Sequence, residues 1–303
     1  MTPRGTPYRG RFAPSPTGPL HFGSLIAALA SYCDARASGG SWLVRIEDVD
    51  EPRSRKDAAT AILAMLETYG FEWDGEVVLQ SARTDLYEAA LERLAADGRV
   101  YPCACTRKEL ESSAIGAGGE RVYPGTCRAG VAPGSDARAR RMRVTDEPVG
   151  FRDRLQSWQE QRLEIDIGDF IVKRADGMFA YQLAVVVDDA DQAITHVVRG
   201  ADLLASTPRQ IWLQRALGLS TPSYLHHPVA ILPSGEKLSK QTGAPPLPAA
   251  PLASLLRAWR FLAQLEPPEA PISVAEFWLW AKRHWEPAKL PPVAMLPGAP
   301  AAV

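Results

Sequence analysis

No apolar run in this sequence approaches the ~18 residues that a membrane-spanning helix needs. The opening stretch, MTPRGTPYRGRF, has no apolar segment of the kind a secretory leader carries. Neither a membrane span nor a cleaved leader is expected, and a cytoplasmic setting is. Cysteine is scarce: four residues at uneven spacing argue against a disulfide framework and for metal ligands or free thiols. Excess charge of one sign is lacking too, since 34 Lys and Arg face 35 Asp and Glu. With no global positive field to draw in nucleic acid, any RNA contact must be a local patch. Internal repeats are absent. What remains is 303 residues, 46% hydrophobic and 23% charged, an ordinary globular composition that excludes a wholly disordered chain.

The first hundred residues alternate strand and helix signals. A short strand over 9–12 precedes a Pro/Gly loop and an Ala-rich helix over 24–36, where Leu25, Leu29 and Tyr32 recur at helical spacing. A continuous apolar strand over 42–46 is broken only by Arg45. A helix over 54–69 opens with a Ser54/Asp57 capping box and closes at Gly70. Another over 86–96 has Thr84 or Asp85 as its cap, with Gly98 behind it. This alternation predicts a parallel sheet with right-handed crossovers.

Residues 103–170 read differently, with three of the four Cys, a Gly-rich stretch and many Arg. They are expected to form an inserted subdomain between the two halves of a catalytic domain, 1–102 and 171–243. Strands over 171–174 and 179–187 flank Asp176-Gly177, a hairpin signal. A short strand over 196–198 follows, then a helix capped by Thr207 with Pro208 at its first position, ended by Gly218. A strand over 229–232 runs into the turn Pro233-Ser234-Gly235. Residues 244–303 hold 12 of the 26 prolines. Helices over 254–265 and 274–283 are expected there, and disorder from Pro291 onward.

Two motifs carry the chemistry. In Phe12-Ala13-Pro14-Ser15-Pro16-Thr17-Gly18-Pro19-Leu20-His21-Phe22-Gly23-Ser24, a loop enters a helix whose free N–H groups and dipole favour anions. Gly18 and Gly23 permit close backbone approach, and His21 stands where an imidazole can bond a phosphate. In Lys237-Leu238-Ser239-Lys240-Gln241, two lysines and a hydroxyl suit a leaving polyphosphate, whose charge develops in the transition state. Either signal alone is also what a plain turn or a solvated lysine face looks like.

Together, in this order and about 215 residues apart, they resemble the HIGH-type and KMSKS-type signatures of class I aminoacyl-tRNA synthetases. Ser24 replaces the final His of the first, while Leu238 and Gln241 depart from the second. Arg11-Phe12-Ala13-Pro14-Ser15, Arg45-Ile46-Glu47-Asp48, Val185-Val186-Val187-Asp188-Asp189 and His196-Val197-Val198-Arg199-Gly200-Ala201-Asp202 are similar to the glutamate-specific branch. The resemblance implies an α/β, Rossmann-like class I catalytic domain with an inserted zinc-containing subdomain and a short helical C-terminal part. It implies a glutamate site made of Arg11, Phe12, Ala13, Pro14, Ser15, Glu47, Tyr181 and Arg199. ATP would meet His21, Gly23, Ser24 and Lys240, and catalysis would rest on His21, Lys237 and Lys240. A dianionic amino acid with one ammonium suits two guanidinium clamps and one carboxylate. In line with this, Arg11 and Arg199 would hold carboxylates, Glu47 the ammonium, and Tyr181 would donate from the hairpin. Taken singly, these residues also read as surface Arg, surface Glu and core Tyr. Glutamate would be activated by ATP with Mg²⁺, without tRNA, as an adenylate.

Cys103-x-Cys105 and Tyr123-x3-Cys127 offer three thiolates and a phenol, against a preference of Zn²⁺ for four tetrahedral ligands. Three buried free thiols are the other reading. The set resembles the site of the short glutamyl-queuosine branch, which implies one structural Zn²⁺. Only about 60 residues follow the lysine loop, too few for an anticodon-reading helical region beside an acceptor-end site. On that resemblance, glutamate would pass to the queuosine base of the tRNA(Asp) anticodon, whose stem-loop is the expected partner of a monomer. Residues 99–154 carry 11 Lys and Arg against 7 Asp and Glu. Arg138, Arg140, Arg141 and Arg143 either meet phosphates or form a solvated loop. The alternatives are a truncated enzyme that charges a tRNA 3′ end and a catalytically dead paralogue that binds glutamate or ATP.

Overall fold

The structure is a computed structural model that describes residues 7–50, 54–116, 118–238, 242–269, 271 and 273–298. In chain order it begins with β1 (Arg9–Phe12), α1 (Phe22–Ala37), β2 (Ser41–Ile46), α2 (Lys56–Thr68), β3 (Val78–Leu79) and α3 (Thr84–Ala96). Next come β4 (Val100–Cys103), β5 (Ala139–Met142), β6 (Pro148–Asp153), β7 (Ser157–Arg162), α4 (Leu163–Asp166) and β8 (Phe170–Lys173). Then follow α5 (Tyr181–Asp191), β9 (His196–Gly200), α6 (Thr207–Ala216), β10 (Ser223–His227) and β11 (Val229–Ile231). The last elements are α7 (Pro251–Phe261), α8 (Val274–His284) and β12 (Met295–Pro297).

Strands β1, β2 and β3 pair parallel, as do β9 and β10, the two groups being joined where Thr195 N donates to Arg9 O. Between these halves the ladders turn antiparallel: β4–β5–β8 form one sheet and β6–β7 a hairpin. One apolar core gathers around α1, which is buried almost all round. Its Tyr32 meets Trp42 of β2, Phe71, and Trp278 of α8, edge-on, with ring centroids 4.8–5.3 Å apart. The Pro-rich C-terminal segment thus supplies core. A second cluster packs α3, α5 and α6 against the antiparallel strands. Among the described residues no helix is long and apolar enough to cross a membrane.

Several local expectations change. The 54–69 helix starts at Lys56 with Arg55 as cap, and Ser54 Oγ donates back to Asp50 O, so the capping box does not form. Helix α3 is capped by Arg83, with Thr84 and Asp85 already inside it. Ser206, one residue before Thr207, caps α6. The turn at Asp176-Gly177 exists, with Arg174 N donating to Met178 O. Its second strand, however, is a single bridge from Phe179 to Lys173, and Tyr181 opens α5. The Val185–Val187 triplet suggested a strand, yet a short buried apolar run carries no period that separates strand from helix. At the C-terminal end, residues 291–298 are ordered by β12, which pairs parallel with β11.

Candidate active site

The carboxyl ends of β1, β2, β9 and β10, with the start of β11, open onto one cleft of about 720 Å³. This is the strand edge at which open α/β sheets bind ligands. The cleft brings together Arg11, Phe12, Ala13, Pro14, Ser15, His21, Gly23, Ser24, Glu47, Tyr181, Arg199 and Lys237. Ser239, Lys240 and Gln241 lie outside the described residues.

At one end, the first loop enters α1. His21 is the N-cap, its Nδ1 accepting weakly from Ser24 N at 3.4 Å. An accepting Nδ1 places the ring proton on Nε2, the donor a phosphate oxygen needs. A Cβ on Gly23 would lie 3.1 Å from His21 Cε1 and 3.2 Å from Leu238 O. The two signature loops are therefore in contact, and Gly23 is what allows it. Lys237 Nζ reaches Asp202 Oδ2 at 2.5 Å from beyond β9.

At the other end stands a buried network of charges. Arg11 Nε and Arg45 Nη2 both reach Asp189 Oδ1, at 3.1 and 2.9 Å. Arg45 Nη2 also lies 3.3 Å from Glu47 Oε1. Burial opposes the Asp189 charge, but the two guanidiniums outweigh it and hold its carboxyl below the usual range. For Glu47 burial wins over Arg45 and Arg11, so its carboxyl is raised, and a ligand ammonium would restore its charge. Tyr181, at the start of α5 and not on a hairpin strand, has its phenol raised by burial and by Glu47, which keeps it a donor. Arg199 is 5% exposed; its Nε donates to His226 Nε2 at 3.0 Å and its Nη2 to Thr207 Oγ1 at 2.9 Å. Its Nη1 has no hydrogen-bond partner among the described residues. A buried, unsatisfied guanidinium nitrogen in a cleft is a place for an anionic ligand. Sequence reasoning missed Arg45, Asp189, His226 and Asp153. The first two sat inside quoted motifs without a role, and the pairing of the last two comes only from the fold.

The cysteines form a second centre. Cys105 Sγ lies 3.5 Å from Cys127 Sγ and 3.6 Å from Tyr123 Oη, which is 3.5 Å from Cys103 Sγ. Ligands at ~2.3 Å in a tetrahedron stand roughly 3.8 Å apart, so three sulfurs and a phenol oxygen at these spacings fit one Zn²⁺. The positive φ of Gly168 lets the Tyr123 backbone dock, with Tyr123 N donating to Ile167 O at 2.9 Å. Arg141 is buried against this centre: its Nε donates to Cys103 Sγ at 3.2 Å, and its guanidinium lies 3.6 Å from the Tyr123 ring. Hence it is not part of an exposed arginine cluster, and neither reading of that cluster fits it. Arg138 is exposed and Arg143 covers the Tyr101 ring.

An α/β catalytic domain with two contacting signature loops over a strand-end cleft is that of a class I tRNA synthetase-like ligase. Residues 8–245 match the family of class I tRNA synthetases (E and Q), catalytic domain. A protein of Dechloromonas aromatica named Glutamyl-Q tRNA(Asp) synthetase is 59% identical over 284 residues, 92% of this chain and 94% of its own. One of Burkholderia mallei with the same name is 62% identical over 265 residues, 85% of this chain and 89% of its own. A crystal structure of a glutamate tRNA ligase from Elizabethkingia meningosepticum in complex with its amino acid superposes with a TM-score of 0.78. At 24% identity, over 97% of this chain and 68% of that one, it shows the fold. The chain belongs to the class I (E and Q) synthetase family, in the group of members named glutamyl-Q tRNA(Asp) synthetase.

Proposed function

We propose that the chain activates L-glutamate with ATP, independently of tRNA, and transfers it to the queuosine base at the wobble position of the tRNA(Asp) anticodon. The observation that carries the first half is the cleft itself. Arg11, Glu47, Tyr181 and Arg199 at one end suit a dicarboxylate with an ammonium, while His21 and Lys237 at the other suit a polyphosphate. The glutamate α-carboxylate would attack the α-phosphorus of ATP in line, forming the acyl–phosphate bond as the bond to pyrophosphate breaks. Arg11 and Arg199 hold carboxylates, and Glu47 takes the ammonium. His21 donates from Nε2 to a phosphate oxygen. Lys237 and Lys240 stabilise the departing charge. Mg²⁺ arriving with ATP would neutralise phosphate charge. A queuosine cyclopentene hydroxyl would then attack the acyl carbon and release AMP. The acceptor comes from the names of the relatives.

In this reading, residues 103–170 form the unit that meets the anticodon stem-loop. One Zn²⁺ on Cys103, Cys105, Tyr123 and Cys127 would hold that unit in shape, and the enzyme works as a cytoplasmic monomer. The test is transfer of labelled glutamate, with ATP and Mg²⁺, to tRNA from cells that make queuosine and from cells that cannot. Label confined to the first pool is the expected result. Equal label in both would make the chain a 3′-end charging enzyme.

A further inference from the structure

We propose that His226 and Asp153 form a positioning chain that fixes the Arg199 guanidinium for its substrate carboxylate, tying the glutamate pocket to the β6–β7 hairpin. This rests on Arg199 being a carboxylate clamp.

The three residues come from separate strands. Arg199 and His226 are direct partners in the β9–β10 register, and Asp153 is the last residue of β6. The side chains of His226 and Asp153 are fully buried. Asp153 Oδ2 lies 2.6 Å from His226 Nδ1, and Asp153 Oδ1 accepts from Leu155 N at 2.9 Å and Gln156 N at 2.8 Å. A carboxylate so held accepts only, so His226 must carry its proton on Nδ1. That leaves the lone pair of Nε2 facing Arg199 Nε at 3.0 Å. The opposite tautomer would set N–H against N–H. The imidazole is neutral: burial and the Arg199 charge together outweigh Asp153 and lower its pKa to about 4.

Counting donors shows what the chain achieves. Arg199 offers five N–H groups. One, on Nε, goes to His226, and one, on Nη2, goes to Thr207. Both bonds leave the paired hydrogens of Nη1 without a partner among the described residues, in a side chain that lines the cleft. An arginine held at two of its nitrogens presents the third in one orientation, with little rotamer freedom left to lose when the carboxylate arrives. Asp153 is also the residue whose Oδ1 shapes the β6–β7 turn, since it binds the backbone N–H groups of Leu155 and Gln156. The geometry of that hairpin and the aim of Arg199 are set by the same carboxylate.

The experiment is ATP–pyrophosphate exchange by the purified full chain, with glutamate and ATP varied separately. Loss of a hydrogen bond to a charged group predicts a rise of about tenfold in glutamate KM for Asp153→Asn and His226→Asn, with ATP KM and kcat little changed. His226→Gln is the rescue, because its amide oxygen can reach the position of Nε2, which the shorter Asn cannot. A merely structural role would treat Gln and Asn alike, so equal glutamate KM in the two variants would overturn the chain. Arg199→Ala is the control for the underlying reading. If it leaves glutamate KM unchanged, Arg199 is not the clamp. If it raises KM while all His226 and Asp153 variants match the parent, the clamp stands and the chain does not.

Discussion

Arg11 Nε donates to Asp189 Oδ1 at 3.1 Å, joining the first strand to the fifth helix across 178 positions. The same oxygen receives Arg45 Nη2 at 2.9 Å. One carboxylate thus anchors Arg11, a clamp in the proposed function, and the arginine that contacts Glu47, with both ends of the pair buried.

Removing that anchor should separate two effects. Asp189→Ala leaves the Arg11 and Arg45 guanidiniums buried with a missing partner, which costs about 3 kcal/mol or more of stability. It should also raise glutamate KM by freeing Arg11. Urea unfolding and exchange kinetics read the two quantities. A variant that unfolds at the parent midpoint would show that Asp188 and Glu47 suffice to hold both arginines.

For the lysine loop the expected split is opposite. Lys240→Ala should lower kcat for exchange by about 10²-fold, the scale of losing one charge-stabilising donor. Glutamate binding, measured by calorimetry, should persist. Intact exchange in this variant would remove the loop from the chemistry. Lys237 is engaged with Asp202 at 2.5 Å, so Lys237→Ala also releases a carboxylate beside the cleft and is the less clean probe.

Zinc content is a direct check on the second centre. One Zn²⁺ per chain is expected in the purified protein by elemental analysis, and Cys105→Ser should bind it weakly enough to lose it to a chelator. Metal loss should lower the thermal midpoint, because the small cluster around Tyr101, Cys103, Tyr123 and Cys127 has little apolar core to hold it. Protein that contains no zinc and unfolds identically with and without chelator would leave three free thiols.

How much of this was legible beforehand depended on the range of the interaction. The parallel strand–helix units of the first hundred residues and the cleft residues from Arg11 to Lys237 stood in local motifs. Sequence could name them without knowing their neighbours. The ends of elements were less secure: Ser54 looked like a capping box, but Asp50 O offered its hydroxyl a closer partner. The Val185–Val187 run was misread as strand because Val185 and Val186 are buried and Val187 is half-buried, which leaves no polar position to mark a helical period. Least legible was the support beneath the site. Asp189 under Arg11 and His226 under Arg199 are set by contacts between distant strands and helices. The tail of prolines gave no sign that residues 295–297 would add a strand beside β11.

The acid limb of stability offers a last test. His226 titrates at about 4 in the fold and near 6.5 when unfolded, so between these values only the unfolded chain takes the proton. Stability should be flat above the upper value on this account, fall as pH drops through the window, and have lost about 3 kcal/mol by its lower end. The groups facing His226 are Asp153, Arg199 and His227. His227 and His196 are also lowered by burial and act in the same direction. Asp153, Asp34 and Asp189 are lowered carboxylates, so their contributions are lost only at and below the ordinary carboxylate range. Glu47 opposes the histidines, because its raised carboxyl favours the fold toward acid. The measurement must therefore be a difference: urea stability of the parent and of His226→Gln from pH 7 to pH 4.5. The parent should lose more over that range than the variant, which has no imidazole to charge at this position. Parallel curves would mean that His226 takes up its proton at the same pH in the fold as in the unfolded chain, so that the imidazole is not held neutral as an acceptor for Arg199.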